Sequence, residues 1–162
     1  MNNTSSEKEI FGNNIQILIN QRNWTIQHAA NELKYDRNKL SKILTGSQNF
    51  ELRTVIKFAR FFNISVFLLF SRLFENEQYR ILFPFIESDY MSVFRKNFES
   101  SSLKQSDINL DSTTVSHIIC GRRNNPTIDT LQHFTENSNT ILSELFKTET
   151  DKFTEQHLIT IH

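Results

Sequence analysis

The sequence predicts an all-α protein built from two tandem helical domains that are joined by a packed apolar connector. Apolar residues recur at helical spacing from Phe11 onward. The stretch SKILTG at residues 41–46 returns as SHIICG at residues 116–121. These stretches end on two of only three glycines among the 162 residues. Because glycine is favoured just past a helix end, where φ is positive, we expect the same helix terminus twice.

Composition and charge narrow the class of protein. Hydrophobic residues make up 38% of the chain and aromatic residues 12%, a composition typical of globular proteins. The single cysteine and the lack of a charged-then-apolar leader predict a cytoplasmic location. The longest apolar stretch, residues 64–70, is far shorter than the roughly 20 residues that span a bilayer, so no membrane partner is expected. The net charge is zero, but residues 1–86 carry 11 Lys and Arg against 7 Asp and Glu, and residues 87–162 carry 7 against 11.

The first domain is expected at residues 11–74 and holds five helices. Residues 1–10 are polar and lack periodicity, which predicts a mobile tail. After the helix that begins at Phe11, Thr25 is a favoured N-cap for a second helix with two small alanines on its apolar face. Asp36 is a good N-cap for a short third helix, and two more amphipathic runs complete the domain.

The second and third helices have the chemistry of a helix-turn-helix DNA reader. A turn of three or four residues joins them, and the third helix exposes cations and an amide. An α-helix fits the major groove, where Arg and Lys bind guanine, Asn binds adenine and Ser adapts to either. The start of the second helix offers free N–H groups to a phosphate. The candidate DNA-binding residues of this domain are Thr25, Gln27, Arg37, Asn38, Lys39, Ser41 and Lys42.

Residues 11–74 resemble the Cro and lambda-repressor type of helix-turn-helix domain, the Xre family. The matching residues are Trp24-Thr25, Ala30, the pattern Leu40-Ser41-x-Ile43-x-x-Gly46 and the stretch FARFFNISVFLLF at residues 58–70. The resemblance implies binding of operator DNA as a dimer, with base contacts from the exposed polar residues of the third helix. Phe50 departs from the family, which often has proline or a small polar residue at this loop position.

A second, divergent copy is predicted at residues 90–147. Aligning the two glycine motifs, and allowing one extra residue after them, pairs Asp111 with Asp36, Val115 with Leu40, Ser116 with Ser41, Ile118 with Ile43, Thr130 with Thr54, Phe134 with Phe58, Asn139 with Asn63, Leu145 with Leu69 and Phe146 with Phe70. Pro126 takes the loop position of Phe50. The segment at residues 100–110 lacks the paired alanines, so its second helix is expected to be shifted or shortened.

DNA contact by the second copy is left open by its composition. Its candidate DNA-binding residues are Ser112, Thr113, Thr114, Ser116, His117, Arg122 and Arg123. Hydroxyl groups and the Arg pair suit base or phosphate contacts. Residues 90–146 nevertheless hold 5 basic and 6 acidic residues, so electrostatics alone would not attract this domain to a duplex.

The connector at residues 75–89 is apolar around Pro84, which predicts that it is buried between the domains and fixes their angle as a built-in pseudo-dimer. Residues 148–162 are expected to form a C-terminal tail. The β-prone stretch HLITI at residues 157–161 predicts a short strand or a segment that covers a neighbouring surface.

The sequence therefore predicts a sequence-specific double-stranded DNA-binding protein, a transcriptional regulator of a bacterium, phage or mobile element. One alternative is an accessory protein of plasmid transfer or replication. Another makes the second domain a protein-interaction module, with a homodimer as one outcome. No catalytic residue, cofactor or metal is expected, since there is no Gly-rich phosphate loop and since His28 and His117 lack a second ligand at usable spacing.

Overall fold

The structure is a computed structural model that describes residues 6–138 and 140–161. This described part holds eleven α-helices, two 3₁₀ helices and no β-strand, so the all-α class is confirmed there. In chain order the α-helices are α1 (Glu7–Gln21), α2 (Ile26–Leu33), α3 (Arg37–Leu44), α4 (Leu52–Phe62), α5 (Val66–Leu69), α6 (Glu77–Leu82), α7 (Tyr90–Ser100), α8 (Ser112–Ile119), α9 (Ile128–Gln132), α10 (Leu142–Leu145) and α11 (Glu149–Ile161). The 3₁₀ helices are Arg72–Glu75 and Gln105–Asp107.

The first helix begins earlier than the sequence pattern indicated. Ser6 is its N-cap, and the Ser6 hydroxyl oxygen accepts from the backbone N–H of Glu9 at 3.2 Å. Glu7 and Glu9 lie in the first turn, where negative charge is favourable beside the positive end of the helix dipole. The expectation of a mobile tail through residue 10 is therefore wrong for residues 7–10. Residues 1–5 lie outside the described part.

The C-terminal segment is helical, and the expectation of a strand at residues 157–161 is wrong. The backbone N–H of Thr148 donates to Asp151 Oδ2 at 2.9 Å, and the backbone N–H of Asp151 donates to Thr148 Oγ1 at 3.1 Å. This reciprocal capping box starts α11 firmly, and the helix continues through the β-prone residues. Ser65 Oγ donates to Asp151 Oδ1 at 3.0 Å, which fastens α11 to the start of α5.

Each half has an aromatic cluster beneath its first helix. In the first half Phe11 of α1 packs against Phe58 and Phe70, with ring centroids 6.2 and 5.2 Å away. In the second half Phe94 of α7 packs against Phe134 and Phe146 at 5.2 and 5.7 Å. All of these phenylalanines are buried. Since the sequence alignment pairs Phe58 with Phe134 and Phe70 with Phe146, α7 takes the place in the second half that α1 has in the first.

A buried asparagine on the first helix of each half repeats the same hydrogen bonds. Asn14 Nδ2 donates to the carbonyl oxygen of Leu69 at 3.0 Å and to a second carbonyl at 3.1 Å. Asn97 Nδ2 donates to the carbonyl oxygens of Leu145 and Lys147, each at 2.9 Å. The repeat in buried contacts therefore extends to the first helices. Asn139, which the sequence alignment pairs with Asn63, lies outside the described residues.

The two halves meet directly in one continuous core. Short helices α5 and α10 pack against each other, and the Phe70 and Phe146 rings stack with centroids 5.8 Å apart. The loop before α4 pairs with the loop before α9, since the Leu52 N–H donates to the Pro126 carbonyl at 2.9 Å. Lys8 of α1 forms an ion pair of 2.8 Å with Asp129 of α9.

The connector is only partly buried. Phe83 is buried, its ring meets Phe67 of α5 edge-on at 5.0 Å, and its carbonyl accepts from the Ser65 N–H at 2.9 Å. Ile81 and Leu82 are 80% and 40% exposed, so the expectation that the whole apolar cluster is buried is wrong. The connector lies against α5 at this point, and the contact of α5 with α10 brings the halves together without it.

Candidate nucleic-acid interface

A three-residue turn joins α2 and α3. Lys34 at the end of α2 adopts a left-handed backbone with φ of 52°, and the Tyr35 N–H donates to the Ala30 carbonyl at 2.9 Å, which closes the helix. Asp36 then caps α3, since its Oδ1 accepts from the Lys39 N–H at 2.9 Å. The predicted N-cap at Asp36 is confirmed, whereas the left-handed end of α2 at Lys34 was not predicted.

Two residues that the sequence reasoning did not single out hold this turn in place. The Tyr35 ring meets Phe58 of α4 edge-on with centroids 5.3 Å apart. Lys57 Nζ donates to the Lys34 carbonyl at 2.8 Å. Burial raises the pKa of Tyr35, which keeps its phenol neutral. The sequence around Tyr35 and Lys57 does not indicate these roles, because each contact joins residues that are 23 positions apart.

The exposed face of α3 carries the predicted polar side chains. Leu40 and Ile43 are completely buried and turn the opposite face toward the core. The exposed residues of α3 are Arg37, Asn38, Lys39 and Lys42, and Ser41 is half-buried. Among the described residues, none of the three cations on this face forms an ion pair. The face thus presents free positive charge and an amide on a single short helix.

The start of α2 places its two predicted contacts at the surface. Thr25 is the N-cap, and its Oγ1 accepts from the His28 N–H at 3.0 Å, which leaves the hydroxyl hydrogen free to donate. Gln27 Nε2 donates to Asn31 Oδ1 at 3.0 Å. Both residues are exposed. One donor of the Gln27 amide is thus engaged within α2.

Gly12 sets the distance between α1 and α3. A Cβ atom at this position would lie 2.2 Å from the Ile43 carbonyl oxygen and 3.0 Å from that of Leu44. Only glycine lets the two helix backbones approach this closely. This glycine, the one outside the repeated motif, therefore positions α3. The repeated glycines, Gly46 and Gly121, have φ of 76° and 85°, so the predicted left-handed helix termini are confirmed.

In the second half, α8 is the helix that the sequence alignment pairs with α3. Asp111 caps it, with Oδ2 accepting from the Thr114 N–H at 2.9 Å and Oδ1 accepting from the Thr114 hydroxyl at 2.6 Å. These hydrogen bonds hold the pKa of Asp111 below its usual range. The hydroxyl hydrogen of Thr114 is consequently committed to the cap. Of the other predicted contacts, Ser112, Thr113, Ser116, Arg122 and Arg123 are exposed and His117 is half-buried.

The segment before α8 contains only a 3₁₀ turn, Gln105–Asp107, where the first half has α2. The expectation of a shifted or shortened helix is confirmed. Ile108 is buried and holds the segment against the core. The second half therefore lacks a long helix whose start could meet a phosphate beside α8.

Arg95 is a cation close to the end of α8 that the sequence analysis did not single out. It lies on α7 beside the end of α8, with Cζ 3.7 Å from where a Cβ of Gly121 would be. Its Nη2 donates to Ser92 Oγ at 3.3 Å, and its Nη1 is buried without a hydrogen-bond partner among the described residues. Arg122 and Arg123 extend from the loop that follows, and neither forms an ion pair within the described part.

The described residues contain neither a candidate metal site nor a candidate membrane span. Within residues 6–138 and 140–161, no group of three His, Cys, Asp or Glu side chains could hold a metal ion. Among the helices described, none combines the length and apolarity that crossing a bilayer requires. No family model matches this chain, and neither a curated protein nor a solved structure matches it.

Proposed function

We propose that this chain is a sequence-specific double-stranded DNA-binding protein in which α2 and α3 form a helix-turn-helix and α3 enters the major groove. The observation that carries the proposal is the exposed face of α3. Its cations have no ion-pair partner among the described residues, so DNA would not have to compete with an acidic side chain.

The side chains on this face match the chemistry of base edges. Arg37 and Lys39 can bind the O6 and N7 atoms of guanine, and Asn38 can bind the N6 and N7 atoms of adenine. Thr25 and the first N–H groups of α2 suit a backbone phosphate. Residues 11–74 hold 9 basic and 3 acidic residues, which favours this half as the source of affinity.

The repeated buried contacts support a second part of the proposal, that the halves are two copies of a lambda-repressor-like domain. One chain would then supply the two readers that a dimer usually supplies. If α3 and α8 dock on one face of the duplex, their half-sites lie about 34 Å apart, one helical turn. Because the two readers differ, the preferred site is not palindromic.

The test is selection of bound duplexes from a random pool, followed by affinity measurements on the selected site. Arg37→Ala should weaken that site by about 1 to 3 kcal/mol and relax base preference at one position. Lys39→Gln should weaken the same site and make log K fall less steeply with log salt, with a slope smaller in magnitude by about 1. Lys96→Gln is the matched control, since Lys96 lies on α7 in an exposed ion pair with Glu149. Equal effects of the three variants would refute the assignment of α3.

A second candidate gives the second half a protein-interaction role. The absence of a long helix before α8 and the commitment of the Thr114 hydroxyl to its cap favour it. Replacing Arg122 and Arg123 together by glutamine decides between the two. Loss of DNA affinity and of salt dependence supports DNA contact, whereas unchanged DNA binding with altered self-association supports the interaction module. In either case, the location of bound sites at promoters or at origins separates a transcriptional regulator from a transfer or replication protein.

A further inference from the structure

An open cavity of about 710 Å³ lies where the two halves meet. Its lining includes Glu7 and Ile10 of α1, Phe70 and Leu73 from the end of the first half, and Gln132 of α9. The volume is in the range of about 300 to 1,000 Å³ that is typical of small-molecule sites. Cavities at the junction of two domains are a preferred position for such sites.

The apolar part of the lining includes side chains that are costly to leave in water. Leu73 is 46% exposed and Ile141 is 52% exposed, and both line the cavity. Phe67 and Phe70 line its inner surface and are buried. A ligand with an apolar ring or chain would cover Leu73 and Ile141 and gain the free energy of removing these two side chains from water.

The charged part of the lining carries a net negative charge. The carboxylates of Glu7, Glu136, Glu144 and Glu155 line the cavity against two cations, Arg72 and Lys147. Lys147 is bound by Glu144 at 2.6 Å and by Glu155 at 2.8 Å. The Glu7 carboxylate is held by the backbone N–H of Leu142 at the start of α10 and forms no ion pair within the described residues. Burial raises the pKa of Glu7, because its charged form is poorly solvated there.

A further acceptor is present on the opposite wall. Gln132 Oε1 is buried and has no hydrogen-bond partner among the described residues. Buried polar atoms without partners are rare in native structures. A ligand in the cavity can supply the hydrogen-bond donor that Gln132 Oε1 lacks. The cavity thus combines exposed apolar side chains with the Glu7 carboxylate and with one oxygen, Gln132 Oε1, that has no donor among the described residues.

We propose that this cavity binds a small amphipathic molecule with an apolar ring or chain and an amine, whose ammonium group pairs with Glu7. The apolar part lies against Leu73 and Ile141, and the N–H donors are directed toward the carboxylate. An anion of the same shape binds more weakly because the lining carries more carboxylates than cations, and a neutral analogue lacks the charge-assisted hydrogen bond.

The test uses three fluorescent probes that share one ring system and differ in charge. Dansylcadaverine carries an ammonium group, dansylamide is neutral and dansylglycine is anionic. Titration of each into the purified full chain should give binding in the order amine, neutral, anion, with the dansyl emission enhanced and shifted to the blue. Equal binding of the three probes, or no change in emission at millimolar probe, would overturn the proposal.

Matched variants locate the bound amine. Glu7→Gln should weaken dansylcadaverine by about tenfold, the value expected for a lost charge-assisted hydrogen bond, and should leave dansylamide unchanged. Glu9→Gln is the control, since Glu9 is in the same first turn of α1 and does not line this cavity. An equal loss in both variants would place the amine elsewhere. If Glu7→Gln does not fold, the three-probe order in the unaltered chain still decides.

The same helix connects the cavity to α3. Glu7 and Ile10 line the cavity. Gly12, two residues after Ile10, lies against the carbonyl end of α3. A ligand that shifts α1 would therefore shift α3, and this consequence rests on the proposed DNA binding. A saturating selected duplex should change the dissociation constant of dansylcadaverine by about fivefold or more. An unchanged constant would refute the coupling, whereas the titrations without DNA judge the site independently.

Discussion

Replacing Asn14 by aspartate removes the hydrogen-bond donor that fastens α1 to the end of α5 while it preserves the shape of the side chain. Asn14 is only 1% exposed, and its Nδ2 donates to two carbonyl oxygens at 3.0 and 3.1 Å. In the variant a carboxylate oxygen would face the same two carbonyl oxygens. The perturbation therefore replaces two attractive contacts by repulsive ones in a buried site.

The magnitude follows from these contacts. Each lost hydrogen bond contributes about 1 kcal/mol, and a buried acceptor left without a donor adds about 1 kcal/mol or more. Asn14→Asp should therefore lower the free energy of unfolding by about 3 kcal/mol at neutral pH. For a chain of this size that corresponds to a fall in Tm of roughly 6 to 12 °C.

Asn97→Asp is the matched comparison in the second half. Asn97 Oδ1 already accepts from Lys152 Nζ at 2.6 Å, so an aspartate there would gain an ion pair that offsets part of the loss. Its cost should be about 1 to 2 kcal/mol. Urea denaturation followed by circular dichroism and by the fluorescence of the single tryptophan, Trp24, measures both. A cost below about 1 kcal/mol for Asn14→Asp, or a larger cost for Asn97→Asp, would refute the reasoning.

Three further predictions concern the close approaches at the glycines and the partly buried Glu7 carboxyl group. Gly12→Ala should lower the free energy of unfolding by about 1 to 3 kcal/mol, because its Cβ would lie 2.2 Å from a carbonyl of α3; wild-type stability in urea would contradict this. Gly46→Ala should cost more than Gly121→Ala, since both have positive φ but only at Gly46 would the Cβ meet a side chain of α1 at 2.6 Å; equal melting temperatures would count against it. Burial raises the pKa of Glu7, so its contribution favours folding below the unfolded pKa and is lost as pH rises through the folded pKa. The melting temperature of Glu7→Gln should therefore increase relative to wild type between roughly pH 4 and pH 7, and a constant difference would exclude this.

Local chemistry explains why much of the segment from α2 to α3 could be predicted. Thr25, Asp36 and Asp111 are N-caps in the structure, and each bonds a backbone N–H three residues later. Gly46 and Gly121 adopt positive φ just past a helix end. These features depend on a few neighbouring residues, so the sequence carries them directly. The exposure of the polar face of α3 follows from the same helical spacing.

The wrong or missing predictions concern features that are decided by residues outside the stretch on which each prediction was based. The β propensity of residues 157–161 was outweighed by the capping box at Thr148 and Asp151, which starts a helix nine residues earlier in the chain. The sequence alignment began at the glycine motif and did not reach the first helices, because the segment before α8 is shorter than the segment before α3. The correspondence of Asn14 with Asn97 therefore became visible only through their buried hydrogen bonds. Likewise, nothing local marks Gly12 as the contact with α3.

The two halves correspond where side chains are buried and differ where they are exposed. Val115 and Ile118 of α8 are buried at the positions of Leu40 and Ile43, whereas the exposed cations of α3 are matched by hydroxyl residues and a histidine. A shared core explains the first similarity, since each half needs the same packing whether or not it binds DNA. That shared core also means that deleting the second half would expose Phe70, which stacks on Phe146, and would destabilise the first half. Surface substitutions after α8, which leave the core intact, are therefore the variants that can separate a DNA role of the second half from its structural one.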